Sequence, residues 1–305
     1  MSAHRIVARL NALNVAARPV FGAVPAESCG LIAINGWRLS DAIHDFRKAC
    51  PTKPVIVVLA GSDLYRSKSA LDSQKTLRAM SEATVLVVAQ SEALATVPEE
   101  FRGKCRVIPK SVELPQSPAP PSDPSVFKAI VVSNLRPEKE PLLAARAALA
   151  LPSDSRIRID HYGMELDQEL TAQAHAATLM QHSRYRWLSS VPHDDIMDAI
   201  SSADLLINTS IFEGGANAVC EAVALRTPVL ATRIPGNVGI LGSDYPGLYP
   251  AGDAKSLTTL LNRCEQSGEF FDSLKTRCVE LAPLFSPEYE SRLWVDLVNE
   301  LIKNQ

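Results

Sequence analysis

Most marks of specialised chemistry are missing from this sequence. Its six cysteines, at positions 29, 50, 105, 220, 264 and 278, form no C-x-x-C pair, and its six histidines, at 4, 44, 161, 175, 182 and 193, fall at no metal-ligand spacing. Neither a zinc site nor a redox dithiol is therefore expected, and reduced thiols are the simpler assignment. Charge of one sign is scarce as well. Thirty-one Lys plus Arg against thirty-four Asp plus Glu leave a formal net charge of −3. That is too little to hold a nucleic acid or an acidic membrane by bulk attraction, so any phosphate must be gripped locally. The longest apolar runs, such as Ala83 to Ala89, fall far below the ~18 residues of a membrane span, and the first ten residues carry two arginines without an apolar signal core. A cytoplasmic protein without an integral membrane segment is expected. Tandem repeats and low-complexity tracts are absent too.

What is present points to a folded enzyme-sized chain. The 305 residues are about twice the ~150-residue domain norm. With 46% hydrophobic and 21% charged residues, the chain can bury real cores. Five of its twenty-one prolines fall within Leu114 to Ser125, LPQSPAPPSDPS. Proline fixes φ and removes an amide donor, so this stretch is expected to be a stiff linker over residues 114–125 between two domains. The expected organisation is an N-terminal domain over 1–113, a second domain over 126–284, and a terminal helix over 285–305 that packs back on the first domain.

On both sides of the linker, short β-branched runs alternate with helical patterns, the signature of parallel βαβ construction. Strands are expected at Gly30 to Ile34, Val55 to Ala60, Thr84 to Ala89 and Cys105 to Ile108 in the first half. In the second half they are expected at Lys128 to Ser133, Arg156 to His161, Arg186 to Leu188, Asp204 to Asn208 and Pro228 to Thr232. The fold class is α/β, with two doubly wound Rossmann-like domains facing across a cleft. Ile6, Val7, Leu10 and Leu13 recur at helical spacing, so the chain opens with a helix where such a domain normally opens with a strand and a glycine turn. The first domain is accordingly expected to lack its first strand.

Four segments carry candidate chemistry at strand ends. In Ser210 to Glu221, SIFEGGANAVCE, a strand ends, Gly214 and Gly215 permit close backbone approach, and an apolar helix starts near Asn217. Amides and the positive helix end converge there, where a pyrophosphate would fit. Glu213 and Glu221 can aim two carboxylates at ligand hydroxyls, although either could equally be a helix-dipole partner or a solvated charge. In Val131 to Glu140, VVSNLRPEKE, Arg136 and Lys139 follow a strand and could neutralise a leaving diphosphate, while Arg136 also fits an ordinary surface ion pair. Gly61, Ser62, Asp63 and Arg66, after the strand Val55 to Ala60, form an acceptor-side candidate as well as an ordinary strand-end turn. In Arg233 to Gly242, the turn Pro235-Gly236-Asn237 exposes amides and Arg233 adds charge suited to an anion, on the side opposite Glu213 and Glu221, although Pro-Gly-Asn is equally good turn chemistry. His161 reads as a half-buried structural histidine.

The segment Ser210 to Glu221 resembles the E-x7-E region of retaining glycosyltransferases with the GT-B fold, family four. The resemblance implies that Glu213 touches a donor sugar and Glu221 the ribose of its nucleotide. Val131 to Glu140 resembles the V-G-R-L-x-x-x-K-G motif of that family, whose Arg and Lys hold the diphosphate. Lys139 falls on the lysine, Asn134 stands at the arginine position, and Arg136 lies two residues later. Trp187 and Leu188 end a strand where the family frames the uracil, a place that core packing explains equally well. Longer strings, SRIRIDHYG (155–163), RYRWL (184–188), EGGAN (213–217), RIPGNVGILG (233–242) and GSDLYR (61–66), resemble one branch, the selenosugar synthases of selenoneine biosynthesis. That resemblance runs from about Leu31 to the C-terminus. It implies a UDP-sugar donor, selenophosphate as a small anionic acceptor, a C–Se bond formed at the anomeric carbon with release of UDP, and no metal or resident cofactor. Two alternatives stay open: a glycosyltransferase acting on a hydroxyl acceptor, and a nonenzymatic nucleotide-sugar binder.

Overall fold

The computed structural model describes residues 2–20, 22, 24–25, 27–65, 69–115, 123 and 125–303. Arg66 and most of the proline-rich stretch lie outside them. The elements run in the order α1 (Ser2–Asn11), β1 (Leu31–Ile34), α2 (Ser40–Ala49), β2 (Val55–Val58), α3 (Gly61–Leu64), α4 (Ala70–Glu82), β3 (Val85–Val88), α5 (Glu99–Arg102) and β4 (Cys105–Val107). They continue with β5 (Phe127–Val132), α6 (Leu143–Leu149), β6 (Ile157–Tyr162), α7 (Gln168–Leu179), β7 (Tyr185–Trp187), α8 (His193–Ser201), β8 (Leu205–Asn208) and α9 (Asn217–Ala224). The last are β9 (Val229–Thr232), α10 (Pro235–Leu241), β10 (Leu248–Tyr249), α11 (Ala254–Gln266), α12 (Gly268–Leu281) and α13 (Pro287–Lys303). These form two compact units, Met1–Ser111 with Ser286–Gln305, and Val112–Phe285.

The first unit is a parallel sheet in the order β1-β2-β3-β4. Successive strand residues face opposite sides, and the two faces bury separate cores. Ala33, Val55, Val57, Leu86 and Val88 pack with Ile43 and Phe46 of α2 and Ala79 and Met80 of α4. Ile56, Val85 and Val87 pack on the other face with Ile6 and Leu10 of α1 and Trp294 and Leu297 of α13. The two terminal helices of the chain thus cover one face together. They are also tied by a buried carboxylate. Glu290 Oε2 accepts from the Ser111 amide at 3.0 Å and from Arg5 Nη1 at 3.2 Å, while its Oε1 accepts from Trp294 Nε1 at 3.1 Å.

The second unit is a six-stranded parallel sheet in the order β10-β9-β8-β5-β6-β7. The chain winds from β5 outward through β6 to β7, then returns to place β8 on the other side of β5, in register Val131 to Ile207. Succession therefore reverses between β5 and β8, and the crevice outside their carboxyl ends is the topological switch point where α/β sheets bind ligands. Among the described residues, the sequence pattern located nine of the ten strands to within one or two residues at either end. It missed β10, whose two residues pair with Ala231 and Thr232 and are too few to show a period.

Candidate functional site

The residues after β5 and those after β8 meet at the switch point. After β5, the chain makes a 3₁₀ turn over Pro137–Lys139 and leaves it through Glu140, whose φ of 42° and ψ of 53° are left-handed. After β8, the loop 209–216 leads into α9. The two are stitched together by main-chain groups: Thr209 Oγ1 donates to the Lys139 carbonyl at 2.7 Å, and the Ile211 amide donates to the Glu138 carbonyl at 3.0 Å. On that frame the Lys139 ammonium pairs with Glu213 Oε1, which also accepts from Ser210 Oγ at 2.8 Å. The Glu213 side chain is only 13% exposed, so the pair sits in a partly desolvated crevice.

Gly214, Gly215 and Asn217 form the passage from Glu213 into α9. Ala216 occupies the position before this helix, and its methyl group cannot cap the first amides. Their dipoles accumulate positive charge beside Glu213 and Lys139. Glu221 follows one turn into α9, largely buried, with Oε1 4.0 Å from His193 Nε2 at the start of α8. Asn134 lies two residues past β5 and accepts the Met164 amide on its Oδ1 at 3.0 Å, tying the segment after β5 to the one after β6. Leu188, just past β7, is 37% exposed, whereas Trp187 is buried with its indole donating to the Gly163 carbonyl at 3.3 Å. Gly163 presses on the same strand end: a Cβ there would lie 1.8 Å from the Ser133 carbonyl oxygen.

Several expectations change. Arg136 is not drawn into the Lys139–Glu213 pair: although the 3₁₀ turn bonds the Lys139 amide to the Arg136 carbonyl at 3.0 Å, the Arg136 side chain is 51% exposed and lies 3.9 Å from Glu138. The segment 233–242 is not an open turn facing the donor glutamates. Residues 235–241 are helical, and Gly236 backs directly onto Glu213, with a Cβ there falling 2.3 Å from the Glu213 carbonyl oxygen. Asn237, expected to offer a turn amide to an acceptor, is fully buried. Its Nδ2 donates to Asn208 Oδ1 at 2.9 Å and to the Thr232 carbonyl at 2.9 Å, locking the ends of β8 and β9 together. Arg233 turns back to donate to the Ser243 carbonyl at 2.9 Å.

In the first unit, Gly61, Ser62 and Asp63 form the first turn of α3, soon after the end of β2. Asp63 is buried because its Oδ2 accepts the Ala60 amide at 2.7 Å and its Oδ1 the Trp37 amide at 3.1 Å, joining the ends of β1 and β2. Ser62 Oγ accepts from Asn35 Nδ2 at 2.7 Å. Arg66 lies outside the described residues.

His161 is fully buried, not half-buried, with Nδ1 at 2.7 Å from the Tyr185 hydroxyl and Nε2 at 2.8 Å from the Ser133 carbonyl oxygen. Burial lowers its pKa to about 4, so it is neutral near pH 7 and too deep to exchange protons with a ligand. Ser210 and Thr209 were not singled out in the sequence. They stand within the SIFEGG segment and its approach, and only the fold reveals that Thr209 bonds the Lys139 carbonyl and Ser210 the Glu213 carboxylate.

The likenesses to known proteins agree with this geometry. Residues 115–280 match the family described as glycosyl transferases group 1. The glycosyltransferase 1 domain-containing protein 1 of Xenopus tropicalis is 29% identical over 120 residues, 39% of this chain and 34% of that protein. The putative teichuronic acid biosynthesis glycosyltransferase TuaC of Bacillus subtilis (strain 168) is 25% identical over 236 residues, 70% of this chain and 55% of that one. The chain thus spans about a third to a half of the length of these relatives. Among solved structures, Anabaena Alr3699/HepE in complex with UDP superposes with a TM-score of 0.76 at 16% identity, covering 90% of this chain and 79% of that one. The sucrose-phosphate synthase of Thermosynechococcus elongatus gives 0.71 at 16% identity over 91% and 74%. The architecture is that of the GT-B glycosyltransferases. With the matched segment covering more than half of its residues and the switch-point crevice lying inside that segment, the chain belongs to the glycosyl transferases group 1 family.

Proposed function

We propose that this chain is a glycosyltransferase whose second unit binds a UDP-sugar at the β5/β8 switch point. The observation that carries the proposal is the Lys139–Glu213 pair beside the start of α9. Without a donor, the ammonium and carboxylate satisfy each other. When a sugar diphosphate enters, Lys139 transfers to the diphosphate, and Glu213 turns to the sugar hydroxyls, with Ser210 retained as its partner. Glu221 is assigned to the ribose, and Asn134 and Leu188 to the nucleotide side of the site.

Breaking the anomeric C–O bond leaves the electron pair on the diphosphate and positive character on the sugar, so stabilising the leaving group is the largest demand. Lys139 and the α9 amides meet it with positive charge held in place before the reaction. Arg136, exposed beside the same turn, can add to it by rotating its side chain. No resident cofactor is needed in this scheme. The neighbour Alr3699/HepE was solved with UDP-glucose and with UDP, which supports a uridine nucleotide as the donor class.

For the acceptor, the strings that resemble selenosugar synthases support selenophosphate. Its selenium is nucleophilic without a strong general base, so the Se–C bond can form at the anomeric carbon as UDP departs. A second proposal, an acceptor hydroxyl, is favoured by the name of the relative TuaC. Measuring UDP release across several UDP-sugars, with and without selenophosphate, separates the two. Release stimulated by selenophosphate supports the first. Release indifferent to selenophosphate but stimulated by saccharide or lipid alcohols supports the second. Failure of UDP to bind in calorimetry would overturn the donor assignment.

A further inference from the structure

Resting on the donor-site proposal, we infer that Glu140 is a positioning residue for Lys139 and that it acts through an ion pair with Arg146 of α6. Three features meet at this one residue. Its backbone is left-handed, with φ 42° and ψ 53°, a conformation that favours glycine. One carboxylate oxygen, Oε1, accepts from Arg146 Nη2 at 2.7 Å. The other, Oε2, is buried without a hydrogen-bond partner. A strained conformation and an unpartnered buried oxygen are each unfavourable, and they persist where the surrounding structure holds them for a purpose.

The purpose lies one residue upstream. Glu140 is the hinge at which the chain leaves the 3₁₀ turn carrying Lys139: its amide donates to the Pro137 carbonyl at 3.0 Å, and its carbonyl accepts the Leu143 amide at 3.0 Å. Loop 209–216 fixes the other side of Lys139 through Thr209 Oγ1. The lysine is therefore clamped between the β8 loop and α6, and the Glu140–Arg146 pair is the side-chain half of the clamp on α6. Gly252, with φ 79°, lies on the Oε2 side of Glu140, where a Cβ would stand 3.9 Å from that oxygen. An ammonium displaced by an ångström from a diphosphate loses much of its value.

The test compares Glu140→Gln, Glu140→Gly and Arg146→Gln with the unaltered chain, measuring UDP affinity by calorimetry and the thermal midpoint of each. Each substitution is expected to weaken UDP roughly tenfold. Glu140→Gln combined with Arg146→Gln should be no worse than either alone, since both remove one pair. In a Lys139→Ala background, Glu140→Gln should change UDP affinity by no more than about twofold, because the residue it positions is gone. Glu140→Gly should hold or raise the thermal midpoint while still weakening UDP, a combination that a purely structural role would not produce. Wild-type UDP affinity in both Glu140 variants overturns the inference, as does a full effect of Glu140→Gln without Lys139. If the unaltered chain does not bind UDP at all, the donor assignment fails first and this inference with it.

Discussion

One oxygen of Glu213 holds both the Lys139 ammonium and the Ser210 hydroxyl, so removing either charged partner leaves the other in a partly desolvated crevice. The two removals should nevertheless read differently. Lys139→Ala takes away the cation opposite the diphosphate and should weaken UDP roughly tenfold to hundredfold, the scale of one charged hydrogen bond, with turnover falling in step. Glu213→Ala should leave UDP affinity within a few-fold and depress turnover of the UDP-sugar, because its assigned contact is with the sugar. Calorimetry with UDP alone and UDP-release kinetics with the sugar nucleotide distinguish them, and equal losses of UDP affinity in both variants would remove the division of labour. His161 makes a separate prediction about pH. Its folded pKa of about 4 lies below the ordinary 6.5, so below pH 6.5 the unfolded chain takes up a proton that the folded chain refuses. The stability this residue contributes is complete above pH 6.5 and is lost as pH falls toward 4, amounting to about 3 kcal/mol over the window. Replacing His161 with Gln should flatten the fall in denaturant midpoint between pH 7 and pH 4.5 that the unaltered chain shows, whatever it costs at pH 7.

At the scale of elements, Glu290 fastens α13 to α1 and to the chain at Ser111, and it is 1% exposed. Alanine there would orphan the Ser111 amide and the Trp294 indole and remove the carboxylate 3.7 Å from Arg9 Nε, a side chain that is itself buried. The expected loss is about 3–5 kcal/mol of stability in the first unit, seen as a lower denaturant midpoint and faster proteolysis of α1, with UDP affinity of the folded protein unchanged. Neither the contact nor its energy was legible in the sequence, since positions 5, 111 and 290 are brought together only by the fold. The same limit explains α10. Pro235-Gly236-Asn237 carries turn chemistry, and the sequence alone could not show that Gly236 is required because Glu213 lies against it, or that Asn237 points inward. Strands such as Val55–Val58 and Leu205–Asn208 were legible because runs of β-branched and leucine side chains buried on both faces have few other uses. The Lys139–Glu213 neighbourhood was legible in part. Each residue stood at a strand end, but their pairing follows from the strand order, which periodicity does not encode.

For the whole molecule, the important fact is that the cores do not mix. The large core that includes Ala129, Ile130, Leu206 and Val219 draws every member from Val112–Phe285, and the two cores on either face of the first sheet draw theirs from the other unit. Each unit therefore has what independent folding requires: its own buried apolar centre and a closed set of strand pairings. Lys139, Ser210, Glu213, Glu221 and the start of α9 all belong to the second unit. A fragment spanning 112–285 should accordingly fold with a single cooperative transition and bind UDP within about threefold of the full chain, since the free energy of a site contained in one unit is set there. Transfer is a different matter: if Ser62 and its neighbours hold the acceptor, as the sequence leads us to expect, the fragment lacks them. The fragment should bind UDP, hydrolyse UDP-sugar at most slowly, and gain nothing from selenophosphate or alcohols that stimulate the full chain. A fragment that folds by circular dichroism yet fails to bind UDP would mean that the nucleotide is held by residues of the first unit as well, and the donor site would have to be redrawn to include them.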